Sequence, residues 1–133
     1  MSANNTLEVD VLAMVAQGTD PAWRAGATAY LALFTADPTE TGSLAAECAD
    51  TGYERLAITK ATFWTGTNPL TNAALAIWPA LEQTLGNLTH WALVSSASGA
   101  TAYMLSGTLT NFVPNLPGIT PTAQIGSLQL NAD

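Results

Sequence analysis

Charge is what this sequence has least of. Its only cations are Arg24, Arg55 and Lys60, and charged residues of both signs make up 10% of 133 positions, where about 25% is usual. Three scattered cations cannot form the basic stripe that repeated phosphate contacts require, so nucleic acid is not expected as a partner. Cysteine is limited to Cys48, which excludes an internal disulfide framework and leaves a reduced thiol. Histidine is limited to His90, which rules out paired-imidazole mechanisms and histidine-rich metal sites. Apolar runs stop short of the roughly 18 residues of a membrane span, and the N-terminus lacks the basic start of a signal peptide. The expectation is a soluble product made in the cytosol, with no membrane partner.

Thr, Asn, Ser and Gly take the place of the missing charge, a composition of strands and turns. Disorder is excluded, because disordered chains are polar and highly charged. The length fits one domain over 1–133, with a helical segment at 1–20 and β-structure at 21–133. Size scaling gives such a chain a folded surface of roughly 6,600 Å². Ten acids leave a net charge of −7.

Residues 5 to 18 carry the one good helix signal, with Asn5 as cap, Glu8 three residues on and Gly18 as the stop. Leu7, Val11, Met14 and Val15 line up as an apolar stripe. A strand is the rival reading of Leu7 to Val11, which alternate with period two, but Leu12 to Gln17 continue without alternation. Six strand-like runs follow: Ala27–Thr35, Tyr53–Thr62, Ala73–Trp78, Thr89–Ser95, Thr101–Thr108 and Thr122–Leu130. Turn clusters such as Asp37-Pro38, Asn68-Pro69 and Ser98-Gly99 separate them. This spacing predicts a mainly β fold, an antiparallel, jelly-roll-like β-sandwich with one short N-terminal helix. Tyr30 to Thr35 are apolar on both faces, which predicts a central strand covered on each side, and Gly126 marks a bulge in the last run.

Catalytic signatures are missing. Neither Cys48 nor any Ser or Thr sits in a nucleophile-elbow sequence, and there is no glycine-rich phosphate loop. The acids Asp37, Glu40, Glu47, Asp50 and Glu54 surround a long loop without the spacing of a calcium site. His90, between Thr89 and Trp91 in an apolar run, reads as structural. An enzyme is not expected, and no catalytic residue, metal ligand or cofactor is assigned. Of four tryptophans, Trp78 and Trp91 fall in strands and read as core. Trp23 and Trp64 fall at or near loops, where an amphipathic ring either marks an interface or folds back onto the core.

Several segments together carry a resemblance. These are Tyr30-Leu31-Ala32-Leu33-Phe34-Thr35-Ala36-Asp37-Pro38-Thr39, Gly52-Tyr53-Glu54-Arg55, Ile77-Trp78-Pro79, Gly86-Asn87-Leu88-Thr89-His90-Trp91-Ala92-Leu93, and Ser98-Gly99 leading to Leu105-Ser106-Gly107-Thr108-Leu109. In this order and spacing the chain resembles, over nearly its whole length, a tailed-bacteriophage virion protein family often labelled "tail fiber protein". Val113 to Ile119 depart from the usual pattern, replacing a simpler turn. The resemblance implies a small β-sandwich structural protein of the virion, either a capsid decoration (cement) protein or a tail-associated one.

The absence of a sequence repeat speaks against a long thin fibre, and acidity speaks against a place beside packaged DNA. The leading expectation is therefore an external cement protein on the capsid surface, bound to the major capsid protein. A tail-fibre or tail-adaptor component bound to tail proteins is the alternative, and a carbohydrate-binding module the further one. A surface poor in charge also predicts a homo-oligomer, dimer or trimer. The interface residues expected are Leu7, Val11, Met14, Trp23, Trp64, Phe112, Leu116 and Ile119. Arg55 is expected to pair with Asp50 or Glu54, its nearest acids.

Overall fold

In the computed structural model, which describes residues 2–131, the segment apolar on both faces becomes an interior strand of a five-stranded antiparallel sheet. The strands are β1 (Ser2–Ala3), β2 (Thr28–Phe34), β3 (Leu56–Thr59), β4 (Trp64–Gly66), β5 (Leu70–Asn72), β6 (Ala76–Ile77), β7 (Leu88–Val94), β8 (Met104–Val113), β9 (Thr122–Ala123) and β10 (Gln129–Leu130). Helix α1 spans Asn5–Gln17, and a single turn, α2, spans Lys60–Phe63. The large sheet runs β1-β8-β7-β2-β3, a smaller one β10-β5-β4, and β6 pairs with β9. The protein is mainly β, as expected, and its accessible surface of 7047 Å² is close to the scaling value.

Alternation along β2 and β7 divides the interior in two. Ala29, Leu31 and Leu33 of β2, with Trp91 and Leu93 of β7, face the main core, where Phe63, Trp78, Leu81, Leu128 and Leu130 close over them. Ala32, Phe34, Ala92, Val94 and Met104 face the other way and are covered by Leu44 and Ala46 from the loop between β2 and β3. Both faces of this strand pair are thus buried, which accounts for the two-sided apolar pattern. Trp91 lies opposite Gly107 in the β7–β8 register. A side chain at 107 would stand 2.9 Å from the indole nitrogen, so only glycine lets the ring lie flat across β8.

Several local expectations are corrected. The cap of α1 is Asn4 rather than Asn5: its side-chain oxygen accepts from the Leu7 N–H at 3.1 Å, while Gly18 ends the helix with φ 66°. The 53–62 run shortens to β3 because Tyr53 and Arg55 turn their side chains to polar partners and the chain coils into α2 after Thr59. The 73–78 run keeps only β6, since Ala73 and Ala74 lie in the turn that Asn72 bonds. The last run is not one bulged strand. Gly126, at φ 78°, sits in a turn between β9 and β10. β4 and β5, joined through a cis Asn68-Pro69 bond, form a hairpin where a plain turn was expected.

One partition of the chain bears on function. Residues 83–131, which include β7 to β10, contain no Asp, Glu, Lys or Arg. Among the described residues charge is confined to positions 8–82.

Candidate functional site

The buried polar groups show what the interior does with its scarce charge. Arg55, in the approach to β3, has a side chain only 2% exposed. Its Nε donates to Glu47 Oε1 at 2.7 Å and its Nη2 to Glu47 Oε2 at 2.8 Å, a bidentate pair. The remaining donors reach the carbonyls of Ser96 and Gly99, both at 2.8 Å, and so hold the β7–β8 loop. Tyr53 Oη donates to Glu47 Oε1 at 3.0 Å and accepts the Leu33 N–H at 3.1 Å. The Glu47 hydrogen bond raises Arg55 further above its ordinary value. Burial, followed by the Glu47 charge, pushes the Tyr53 phenol well up. Arg55 does not use Asp50 or Glu54, because Glu47 is bridged to Phe34 of β2 and stands where the guanidinium arrives.

Asp50 is committed elsewhere. It accepts the N–H groups of Gly52 at 2.8 Å, of Glu82 at 3.0 Å and of Gln83 at 2.8 Å. The Asn115 amide, oriented with its nitrogen toward acceptors, adds a bond to Asp50 Oδ2 at 2.8 Å and one to the Gln83 carbonyl at 3.1 Å. Three loops are therefore tied to one carboxylate. Burial acts to raise the Asp50 carboxyl, but the N–H groups of Glu82, Gly52 and Gln83 outweigh it and hold the group below its ordinary 3.8. Cys48 is free and buried, and burial raises its thiol.

The Asp50 shift gives a signed pH dependence. The unfolded chain binds the Asp50 proton more readily than the folded one, so this contribution is full above pH 3.8 and is lost as pH falls through the folded value. Asp50→Asn lacks it. The expected result is lower stability than wild type at neutral pH and a shallower loss of melting temperature on acidification below pH 4 or so. Parallel wild-type and variant profiles in acid would contradict the assignment.

Two asparagines do similar work. Asn72 donates to the carbonyls of Ala74 at 2.8 Å and Gln124 at 2.9 Å and accepts the Leu128 N–H at 2.9 Å, fastening the C-terminal segment over the core. Besides capping α1, Asn4 accepts the Met104 N–H at 3.2 Å. Gly42, at φ 63°, leaves room for it: a side chain there would come within 2.9 Å of the Asn4 amide.

No cation is left over. Arg24 pairs with Asp20, Arg55 with Glu47, and Lys60 donates to the Trp23 carbonyl at 3.0 Å. His90 Nδ1 is 2.8 Å from Thr89 Oγ1. Among the described residues no group of three or more His, Cys, Asp or Glu is placed to hold a metal ion, and no helix is long and apolar enough to cross a membrane.

The expected interface residues scatter. Leu7 is buried and Met14 half-buried, whereas Val11 is exposed. Trp23 is half-buried against Tyr103, its indole N–H donating to Asp10 at 2.7 Å, and Trp64 lies in β4 with its ring 6.0 Å from that of Trp91. Both loop-side tryptophans are thus folded against the core. Phe112, 60% exposed, and Leu116 lie on the charge-free part, while Ile119 packs inward. The structure brings Leu7, Val11, Trp23 and Trp64 together around one apolar groove of about 1100 Å³ between α1 and the β4–β5–β10 sheet. The sequence reading missed Leu12 and the neutrality of 83–131, although an uncharged run that long is visible in the sequence.

The described residues form a mainly β scaffold whose buried polar groups fasten its own loops. The chain belongs to the family described as Podophage GP4 fiber I protein gp80, which matches residues 2–131. No curated protein sequence matches it. The resemblance to a phage virion protein family of the tail-fibre type is thereby established over nearly the whole chain.

Proposed function

We propose that the protein is a non-enzymatic component of the fibre apparatus of a podophage virion, acting through protein–protein contact. The family match over residues 2–131 carries this reading. The distribution of charge supports it, because residues 83–131 offer a surface with no charge to desolvate when another virion protein is met. Phe112 and Ile125 stand exposed on that surface.

The expected role as a capsid cement protein is kept as the second reading. Its support is the lack of any repeat in the chain, with a net charge of −7 that suits an outer surface. Copy number and position separate the two. Quantitative mass spectrometry of purified virions, with immunogold labelling, is expected to find a small number of copies at the tail. Hundreds of copies spread over the shell would replace the fibre reading with the cement one.

A further inference from the structure

Helix α1 is attached to the rest of the molecule by one side of its first turns. Leu7 is its buried residue, and Asp10 is bonded to the Trp23 indole. Its continuation, Val11 to Gln17, carries no charge, yet Leu12 is 67% exposed and Val15 82%. Glu8, Val11, Leu12 and Val15 follow the i, i+3, i+4, i+7 spacing of a single helix face. Through Glu8, Val11 and Leu12 this face forms one wall of the 1100 Å³ groove, with Val15 beyond it, and Leu105, Leu130, Glu40 and Lys60 are among the other lining residues. A helix 10–12 Å across occupies about 1,000 Å³ over two turns. The groove is thus sized for two turns of apolar helix, and the same chain presents two such turns beside it.

We propose that this face of α1 is a self-association seam, and that its occupant is α1 of a second copy. The geometry is self-consistent under a two-fold axis: the helix that forms the wall of one groove is the helix that enters the other, as an isologous contact requires. Charge favours the same occupant. Two chains of net charge −7 repel, and the groove itself holds Glu8, Glu40 and Lys60, so the segment of a second copy that enters at least cost is one without an acid, as Val11 to Thr19 is. This contact is separate from the neutral 83–131 surface and does not depend on where in the virion the protein sits.

Sedimentation equilibrium on the purified full chain from low to high micromolar concentration tests it. Wild type is expected to be dimeric, with Leu12→Glu and Val15→Glu each weakening association on the order of a hundredfold, because a carboxylate would be buried without a partner. Both side chains are exposed in the single chain, so circular dichroism should remain unchanged. Gln17→Glu, exposed on the opposite side of the helix, should still dimerise. A wild-type chain that stays monomeric throughout, or glutamate variants that associate as tightly as wild type, would overturn the seam. Association only with a different virion protein through Leu12 and Val15 would overturn the second copy as occupant.

Discussion

Trp78→Ala is expected to remove about 4 kcal/mol of folding stability, the largest loss from any one substitution considered. The indole is 2% exposed and joins the main core just beyond β6. Its N–H also donates to the Leu31 carbonyl of β2 at 3.0 Å, so the side chain is both packing and strap. Trp78→Phe separates these roles. It keeps most of the apolar surface and gives up the hydrogen bond, which predicts a loss of about 1–2 kcal/mol. Domains of this kind hold about 5–15 kcal/mol in all, so the alanine variant should unfold at much lower urea. Urea titrations followed by circular dichroism measure both variants. A loss below about 1 kcal/mol for alanine would mean that Trp78 does not close the core.

The second large effect comes from Glu47→Ala, expected to cost about 3 kcal/mol because it leaves a guanidinium buried without its anion. Arg55 would keep the Ser96 and Gly99 carbonyls but lose both bonds of its bidentate carboxylate partner. A double variant, Glu47→Ala with Arg55→Met, removes the stranded charge and should recover about half of that loss. It should not recover all of it, since the hold on the β7–β8 loop is gone. A double variant less stable than the single one would show that the pair is not the source of the effect.

The sequence was informative where the chemistry is local. The two-sided apolar run at 30–35 announces a strand covered on each side, and Gly18 announces the helix stop. It was less informative where partners are distant or many are equivalent. Nothing near Arg55 marks Glu47 above Asp50 or Glu54, because the choice is made by the bridge between Glu47 and Phe34. Two of the donors to Asp50 lie 32 and 33 residues away. The β4–β5 hairpin escaped because two three-residue strands rich in Thr, Gly and Asn look like loop, and become strands only when β10 pairs alongside. The expected apolar stripe on α1 splits in the structure, with Leu7 buried, Met14 half-buried and Val11 and Val15 exposed. Which side of it faces inward depended on Asp10 meeting Trp23, a contact across 13 residues.

The division of the interior by β2 and β7 limits how such a protein can change over generations. From Leu31 to Phe34 and from Trp91 to Val94 every side chain is buried, on one face or the other. A substitution at any of these eight positions is felt by a packed neighbour, and tolerated changes there must come in compensating sets of similar volume. Single neutral steps are left to the tip of the β7–β8 loop and the turns around Leu116 and Gln124. Divergence between lineages should therefore collect in these exposed turns, so that they can change without rebuilding the sheet that carries them.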